Sequence, residues 1–165
     1  MITITCIKED VEVSMIDLTK GQKKARLHAS RGKSLFITGG AGTGKTTCLE
    51  EIIQTLENMG KRVVVCAPTG KAALKVKGVT TYALFGFPAG MLINPGGVDR
   101  SPSIVTRVSA AVRTADVVIV DEVSMISCWV FDSIVASIRK AEKEVGKRIQ
   151  LIVCGDFFSF PPFWA

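Results

Sequence analysis

The chain has 165 residues, 47% of them hydrophobic and 22% charged, which suits one α/β domain and excludes an intrinsically disordered chain. Its 21 basic and 15 acidic side chains leave a net charge of +6, which allows an anionic partner without naming one. No apolar run approaches the roughly 18 residues of a membrane span, and the first residues, Met1-Ile2-Thr3-Ile4-Thr5-Cys6, lack the basic start and long apolar core of a signal peptide.

Residues 1–17 carry no strong pattern and are set apart as an N-terminal leader. Thr19 and Gln22 then have the spacing of a capping box at a helix start. The basic side chains Lys20, Lys23, Lys24, Arg26, Arg31 and Lys33 follow; they form either a solvated helix face or part of an electrostatic track. Residues 34–38 read as a buried strand. Residues 44–59 read as a helix, because Leu49, Ile52, Ile53, Leu56 and Met59 recur at a 3.6-residue period and Gly60 supplies a stop. A second buried strand is expected at 62–67. Residues 87–103 hold three prolines and three glycines and are expected to form a loop without regular structure. A third strand is expected at 116–121, a long helix at 127–145 ended by Gly146, and a fourth strand at 150–154. Strands alternating with helices specify an α/β fold with a mostly parallel sheet covered on both faces.

Five cysteines (Cys6, Cys48, Cys66, Cys128, Cys154) show no Cys-x-x-Cys spacing, and His28 is the single histidine. A metal site and a secreted disulfide framework are therefore not expected, and an intracellular setting is the default.

Chemistry concentrates in two places. Gly39-Gly40-Ala41-Gly42-Thr43-Gly44-Lys45-Thr46 follows a strand and opens an amphipathic helix. That pattern is a phosphate loop: glycines let backbone N–H groups turn inward, the helix N-terminus attracts anions, Lys45 reaches the β- and γ-phosphates, and Thr46 ligates Mg²⁺. Downstream, Asp121 and Glu122 end an apolar strand. Asp121 suits Mg²⁺, directly or through water, and Glu122 suits activation of a water molecule. For Glu122 the plain alternative is an acid placed ahead of a helix by the dipole.

Asp121-Glu122-Val123-Ser124-Met125 resembles motif II of the RecD-like and Pif-type branch of superfamily-one DNA helicases. Other segments agree in order. The Leu18–Gln22 run resembles the adenine-reading Q motif, and Ala67-Pro68-Thr69-Gly70-Lys71 resembles motif Ia. Gly78 to Gly86 resembles motif Ib, and Gly155-Asp156-Phe157-Phe158-Ser159-Phe160-Pro161-Pro162 resembles motif III. The resemblance implies a RecA-like phosphate-loop NTPase, a three-layer sandwich over residues 18–165, that uses ATP and Mg²⁺ and meets single-stranded DNA. It implies a nucleotide site made by Gln22, Gly39, Gly40, Ala41, Gly42, Thr43, Gly44, Lys45, Thr46 and Thr47. Lys45, Asp121, Glu122 and Ser159 are the implied catalytic set, Thr46 and Asp121 the metal ligands, and Thr69, Gly70, Lys71, Thr80 and Tyr82 the DNA contacts. By the same analogy, the strand leading to Gly155 lies between the phosphate-loop strand and the Asp121 strand, bringing Asp156 and Ser159 towards the γ-phosphate.

Simpler roles stand beside these. Gln22 suits an adenine edge and equally a helix cap, and residues 67–73 equally form a plain strand-to-helix turn. Tyr82, Phe85 and Phe87 are either stacking surfaces or packing beneath the loop, which for Phe85 is the preferred reading. Two departures from the family pattern are visible: Ser159 stands where Gln is usual, and Thr80-Thr81-Tyr82 replaces Thr-Ile-His. The chain also stops just past motif III, so weak turnover is expected without a second lobe and its arginine fingers. A phosphate-loop ATPase indifferent to DNA, or a non-catalytic nucleic-acid-binding remnant, are the alternatives.

Overall fold

The computed structural model describes residues 2–5, 18–87 and 108–156. In chain order its elements are β1 (Ile2–Thr5), α1 (Lys20–Ser30), β2 (Leu35–Thr38), α2 (Lys45–Asn58), β3 (Val63–Ala67), α3 (Gly70–Lys75), β4 (Val79–Thr80), α4 (Thr81–Phe85), α5 (Ala110–Thr114), β5 (Val117–Val120), a 3₁₀ turn at Val123–Met125, α6 (Cys128–Val145) and β6 (Gln150–Gly155). The strands form one sheet in the order β1-β2-β6-β5-β3-β4, with every neighbouring pair parallel. The fold is α/β, and the four strands and two long helices expected from the periodicity are all present. Two more strands flank them. β1 lies within the stretch set apart as a leader, and β4 spans two residues, too few for alternation to show. Most of the expected 87–103 loop lies outside the described residues.

Side-chain parity along the strands builds the layers. Leu35, Ile37, Val117, Ile119, Ile152 and Cys154 pack with α1 and α2 through Ala25, Ala29, Leu49, Ile52 and Leu56. The intervening residues Val118, Val120 and Val153 face the opposite side and pack with Val130, Ile134 and Ile138 of α6 and Val112 of α5. Leu49, Ile52 and Leu56 of α2 are buried, each contributing about 1.5–3 kcal/mol relative to exposure. Their helical spacing therefore fixes which face of α2 meets the sheet. No helix among the described residues is long and apolar enough to cross a membrane.

At the amino-terminal end of β5, Asp116 fastens three strands. Its Oδ1 accepts a 2.8 Å hydrogen bond from Lys147 Nζ, and its Oδ2 accepts one from the Arg62 backbone N–H at 2.9 Å. The Lys147 bond first, then the Arg62 amide, hold the Asp116 carboxyl at about 2, below its ordinary value. A depressed folded-state value means that this contribution is complete above the unfolded pKa of about 3.9 and disappears as pH falls towards 2. Asp116→Asn is expected to flatten the acid limb of stability between about pH 4 and pH 2, read as urea midpoints against pH, and to leave the neutral-to-alkaline profile parallel to the parent.

Candidate nucleotide and nucleic-acid site

In a parallel sheet all the carboxyl-terminal strand ends meet along one edge, where loops converge. Along that edge the order is the 39–44 loop after β2, Asp156 after β6, Asp121 and Glu122 after β5, Thr69 after β3, and Thr81 after β4. β6 does lie between β2 and β5. Extending the strand parity by one step puts Asp121 and Asp156 on the sheet face that packs against α2. Both carboxylates are buried.

The loop between β2 and α2 closes on itself through the Thr43 hydroxyl, which donates to Gly40 O at 2.9 Å. Gly44 then adopts a left-handed conformation (φ +77°) and starts α2 without any side-chain cap. The opening amides of a 14-residue helix are thus left for another acceptor, and the dipole there favours an anion. Lys45 Nζ donates to Gly39 O and Gly40 O, both at 2.8 Å, and lies 3.8 Å from Asp156 Oδ2. An ammonium held mainly by neutral carbonyls gains when a phosphate oxygen replaces them, because charge-assisted hydrogen bonds are roughly twice as strong. Thr46 is exposed, and Thr47 is half-buried one position further into the helix. The group these residues fit is therefore a polyphosphate.

Gln22 occupies both of its considered roles' starting points. Its Oε1 accepts from the Thr19 backbone N–H at 2.8 Å, and its own backbone N–H donates to Thr19 Oγ1 at 3.3 Å, completing the capping box of α1. Its Nε2 also donates to Gly44 O at 3.0 Å, a tie across 22 residues that no local pattern announces. A Cβ on Gly44 would come within 2.6 Å of that nitrogen. Each amide atom keeps one further bonding position. Gln22→Ala is expected to cost about 1–3 kcal/mol of stability through its two lost side-chain hydrogen bonds and to loosen the phosphate loop. Gln22→Glu keeps an acceptor for Thr19 but removes the donor to Gly44. It should retain more of the urea stability while still weakening nucleotide affinity; equal affinity in Gln22→Glu and the parent would show that the tie does not matter.

After β5, Asp121 Oδ1 accepts from the Glu122 backbone N–H at 2.9 Å. Glu122 has φ +50° and ψ +40°, a left-handed conformation costing a non-glycine residue roughly 1–2 kcal/mol. The strain turns the chain sharply into the 3₁₀ turn that packs on the end of β6. A Cβ on Gly155 would lie 2.9 Å from Ser124 N and 3.0 Å from Val123 Cγ1, so only glycine lets the two backbones meet. Strain at an acid beside a phosphate loop is characteristic of functional positions.

Register brings the two remaining segments together. Cys66 pairs with Val79 and Ala67 with Thr80, so residues 69–71 and 80–82 leave the same edge side by side. β2 and β3 are three strand spacings apart, about 14 Å. Thr69 and Thr80 cap α3 and α4, each oxygen accepting an amide at 3.2 Å. Their hydroxyl hydrogens remain free to donate, so capping and phosphate contact are compatible. Thr69, Gly70 and Lys71 are exposed. Tyr82 is half-buried, its ring edge-on to Phe87 at 6.2 Å, and burial raises its phenol pKa. Phe85 and Phe87 are buried and stacked at 5.6 Å, so these two rings belong to the core. Arg26 of the basic helix pairs with Glu51 at 3.5 Å. Ser159 and the rest of 157–162 lie outside the described residues.

The PIF1-like helicase family model matches residues 17–165 of this chain. The ATP-dependent DNA helicase PIF1 of Saccharomyces cerevisiae is 37% identical over 155 residues, covering 89% of this chain and 18% of that protein. Among solved structures, Pif1 helicase from Candida albicans superposes with a TM-score of 0.71 at 33% identity, over 90% of this chain and 34% of that one. Pif1 helicase from Bacteroides in complex with ADP-AlF3 and ssDNA gives a TM-score of 0.67 at 31% identity, covering 92% and 35%. The chain thus spans about a fifth of the length of the curated relatives and about a third of the solved chains.

Proposed function

Because the chain belongs to the PIF1-like helicase family, we propose that it is the RecA-like ATPase lobe, residues 18–165, of a DNA helicase that couples ATP hydrolysis to movement along single-stranded DNA. The observation that carries this reading is Lys45 folded onto two loop carbonyls at the uncapped start of α2, with two buried carboxylates at the neighbouring strand ends. Backbone amides of residues 39–47 and the Lys45 ammonium bind the phosphates, and Gln22 meets the adenine with its remaining donor and acceptor. Thr46 and Asp121 hold Mg²⁺, which when bound neutralises charge on the phosphate oxygens. Glu122 takes the proton of the attacking water, and Ser159 reports the state of the terminal phosphate. A solved relative described as complexed with ADP-AlF3 and ssDNA supports both ligand classes.

On the nucleic-acid side, Thr69, Gly70 and Lys71 meet one phosphate group and Thr80 and Tyr82 the next. The pairing of β3 with β4 supports this division, since it places the two segments at adjacent strand ends. ATP hydrolysis measured with and without single-stranded DNA tests the reading, in this chain and in a version joined to a second motor lobe. Stimulation by DNA is expected in the two-lobe version. Nucleotide binding without stimulation would remove the DNA half of the proposal, and no nucleotide binding would remove all of it.

A further inference from the structure

The opposite edge of the sheet carries most of the chain's excess charge. There the amino-terminal ends of β2, β6, β5 and β3 lie side by side. Arg31 and Lys33 precede β2, Lys147 and Arg148 precede β6, and Lys61 and Arg62 precede β3, whereas Asp116 alone precedes β5. The Glu142 carboxylate also reaches this edge, accepting from the Ile149 backbone N–H at 2.8 Å, so six cations and two carboxylates leave +4, against +6 for the entire chain. A hollow of about 450 Å³ opens between them, lined by Arg31, Lys61 and Arg148 with Asp116 as its one acid.

Helix dipoles account for only part of this charge. α1, α2, α5 and α6 each lead directly into this edge, Lys147 Nζ donating to Thr114 O of α5 at 3.2 Å, and each C-terminus supplies about half a negative charge, together about half of the surplus. Their last carbonyls are also already bonded: His28 O by Lys33 N, Ala29 O by Gly32 N and Gln150 Nε2, Leu56 O by Lys61 N, and Glu142 O by Gly146 N. Asp116 is engaged by Lys147 and Arg62. Arg31, Lys61 and Arg148 are exposed and make no ion pair or side-chain hydrogen bond among the described residues. The loops that bear them are cross-tied, since Gln150 Nε2 donates to Lys33 O at 2.7 Å and Leu151 N to Ser34 Oγ at 3.2 Å. The cations stand on a rigid floor.

We propose that this face is a second nucleic-acid contact, taking the phosphate backbone of double-stranded DNA at the edge opposite residues 69–71 and 80–82. The cations spread over three strand spacings, about 14 Å, which suits a row of phosphates. No aromatic residue lines the hollow. Grooves for single strands interleave cations with rings on which bases stack; a duplex keeps its bases inside and offers phosphates alone. A membrane surface is disfavoured because Met59 is the one large apolar liner that is half-exposed. The inference rests on the DNA-motor reading above and extends it to a second strand path.

The test compares the parent chain with Arg31→Gln/Lys61→Gln/Arg148→Gln, three positions outside the nucleotide site and outside the Asp116 pairs. Binding of a short duplex of arbitrary sequence is followed from low to moderate salt. Each neutralised phosphate contributes about 0.9 to the slope of log affinity against log salt, so the triple variant should lose about 2–3 units of slope and bind tens-fold more weakly near physiological salt. Its single-strand affinity should be unchanged, and Lys71→Gln should do the converse. Parent-like duplex affinity and slope in the triple variant would overturn the inference, as would a loss seen towards anionic vesicles or polyglutamate and not towards duplex. A parent chain that binds neither form of DNA would instead overturn the DNA-motor reading itself.

Discussion

Lys45→Ala is expected to lower ATP turnover by on the order of 10²–10³, the range for removing one preorganised donor from a developing charge. The ammonium is held at the mouth of the loop, where two carbonyls accept from it at 2.8 Å and Asp156 lies at 3.8 Å. Only 15% of the side chain is exposed, so water screens it little. Alanine leaves the loop backbone free to fold but removes the positive charge, so nucleotide affinity should fall together with turnover. Lys45→Arg should not rescue either quantity, because a planar guanidinium is bulkier than the compact ammonium and presents its donors in a different geometry. Titration with Mg·ATP and a steady-state assay check both statements. Undiminished affinity in Lys45→Ala would place the phosphate tail elsewhere.

Glu122→Gln is expected to separate binding from chemistry. A general base typically contributes 10²–10⁴ in rate, so turnover should drop by that order while nucleotide affinity stays close to the parent. The substitution is nearly isosteric, and the backbone N–H that donates to Asp121 Oδ1 is retained. Asp121→Asn provides the contrast: it should weaken the affinity for divalent cation, seen as a raised Mg²⁺ requirement, in addition to slowing hydrolysis. Single-turnover hydrolysis with prebound nucleotide gives the comparison. A parent-like rate in Glu122→Gln would mean that another group takes the proton.

Local pattern made the chemical centre legible. A glycine-rich loop between an apolar strand and an amphipathic helix is contiguous in sequence, and so is a valine-rich strand ending in two acids; their neighbourhood follows from the parallel sheet. The helices at 45–58 and 128–145 were legible because their buried stripes repeat over several turns. β4 was not, since two residues cannot display alternation, and α3 to α5 run for five or six residues. The position of β6 between β2 and β5 came from family resemblance, because periodicity carries no strand order. The Gln22–Gly44 bond and the basic floor were hidden for one reason. Each joins residues from separate segments that only the finished sheet aligns, and a lysine ahead of a strand is unremarkable until three neighbouring strands each have one.

Backbone contact at Gly155 makes the strand end and the turn after Glu122 behave as meshed gear teeth. Ser124 N and Val123 Cγ1 both lie against the place a Cβ would take, so a slip of β6 by one residue, about 3.3 Å, would drive a side chain into them. Displacing the end of β6 therefore also displaces Val123 and Ser124, and with them Glu122 next to them. The register of that end of the sheet and the alignment of the acid proposed to take the proton become one mechanical variable.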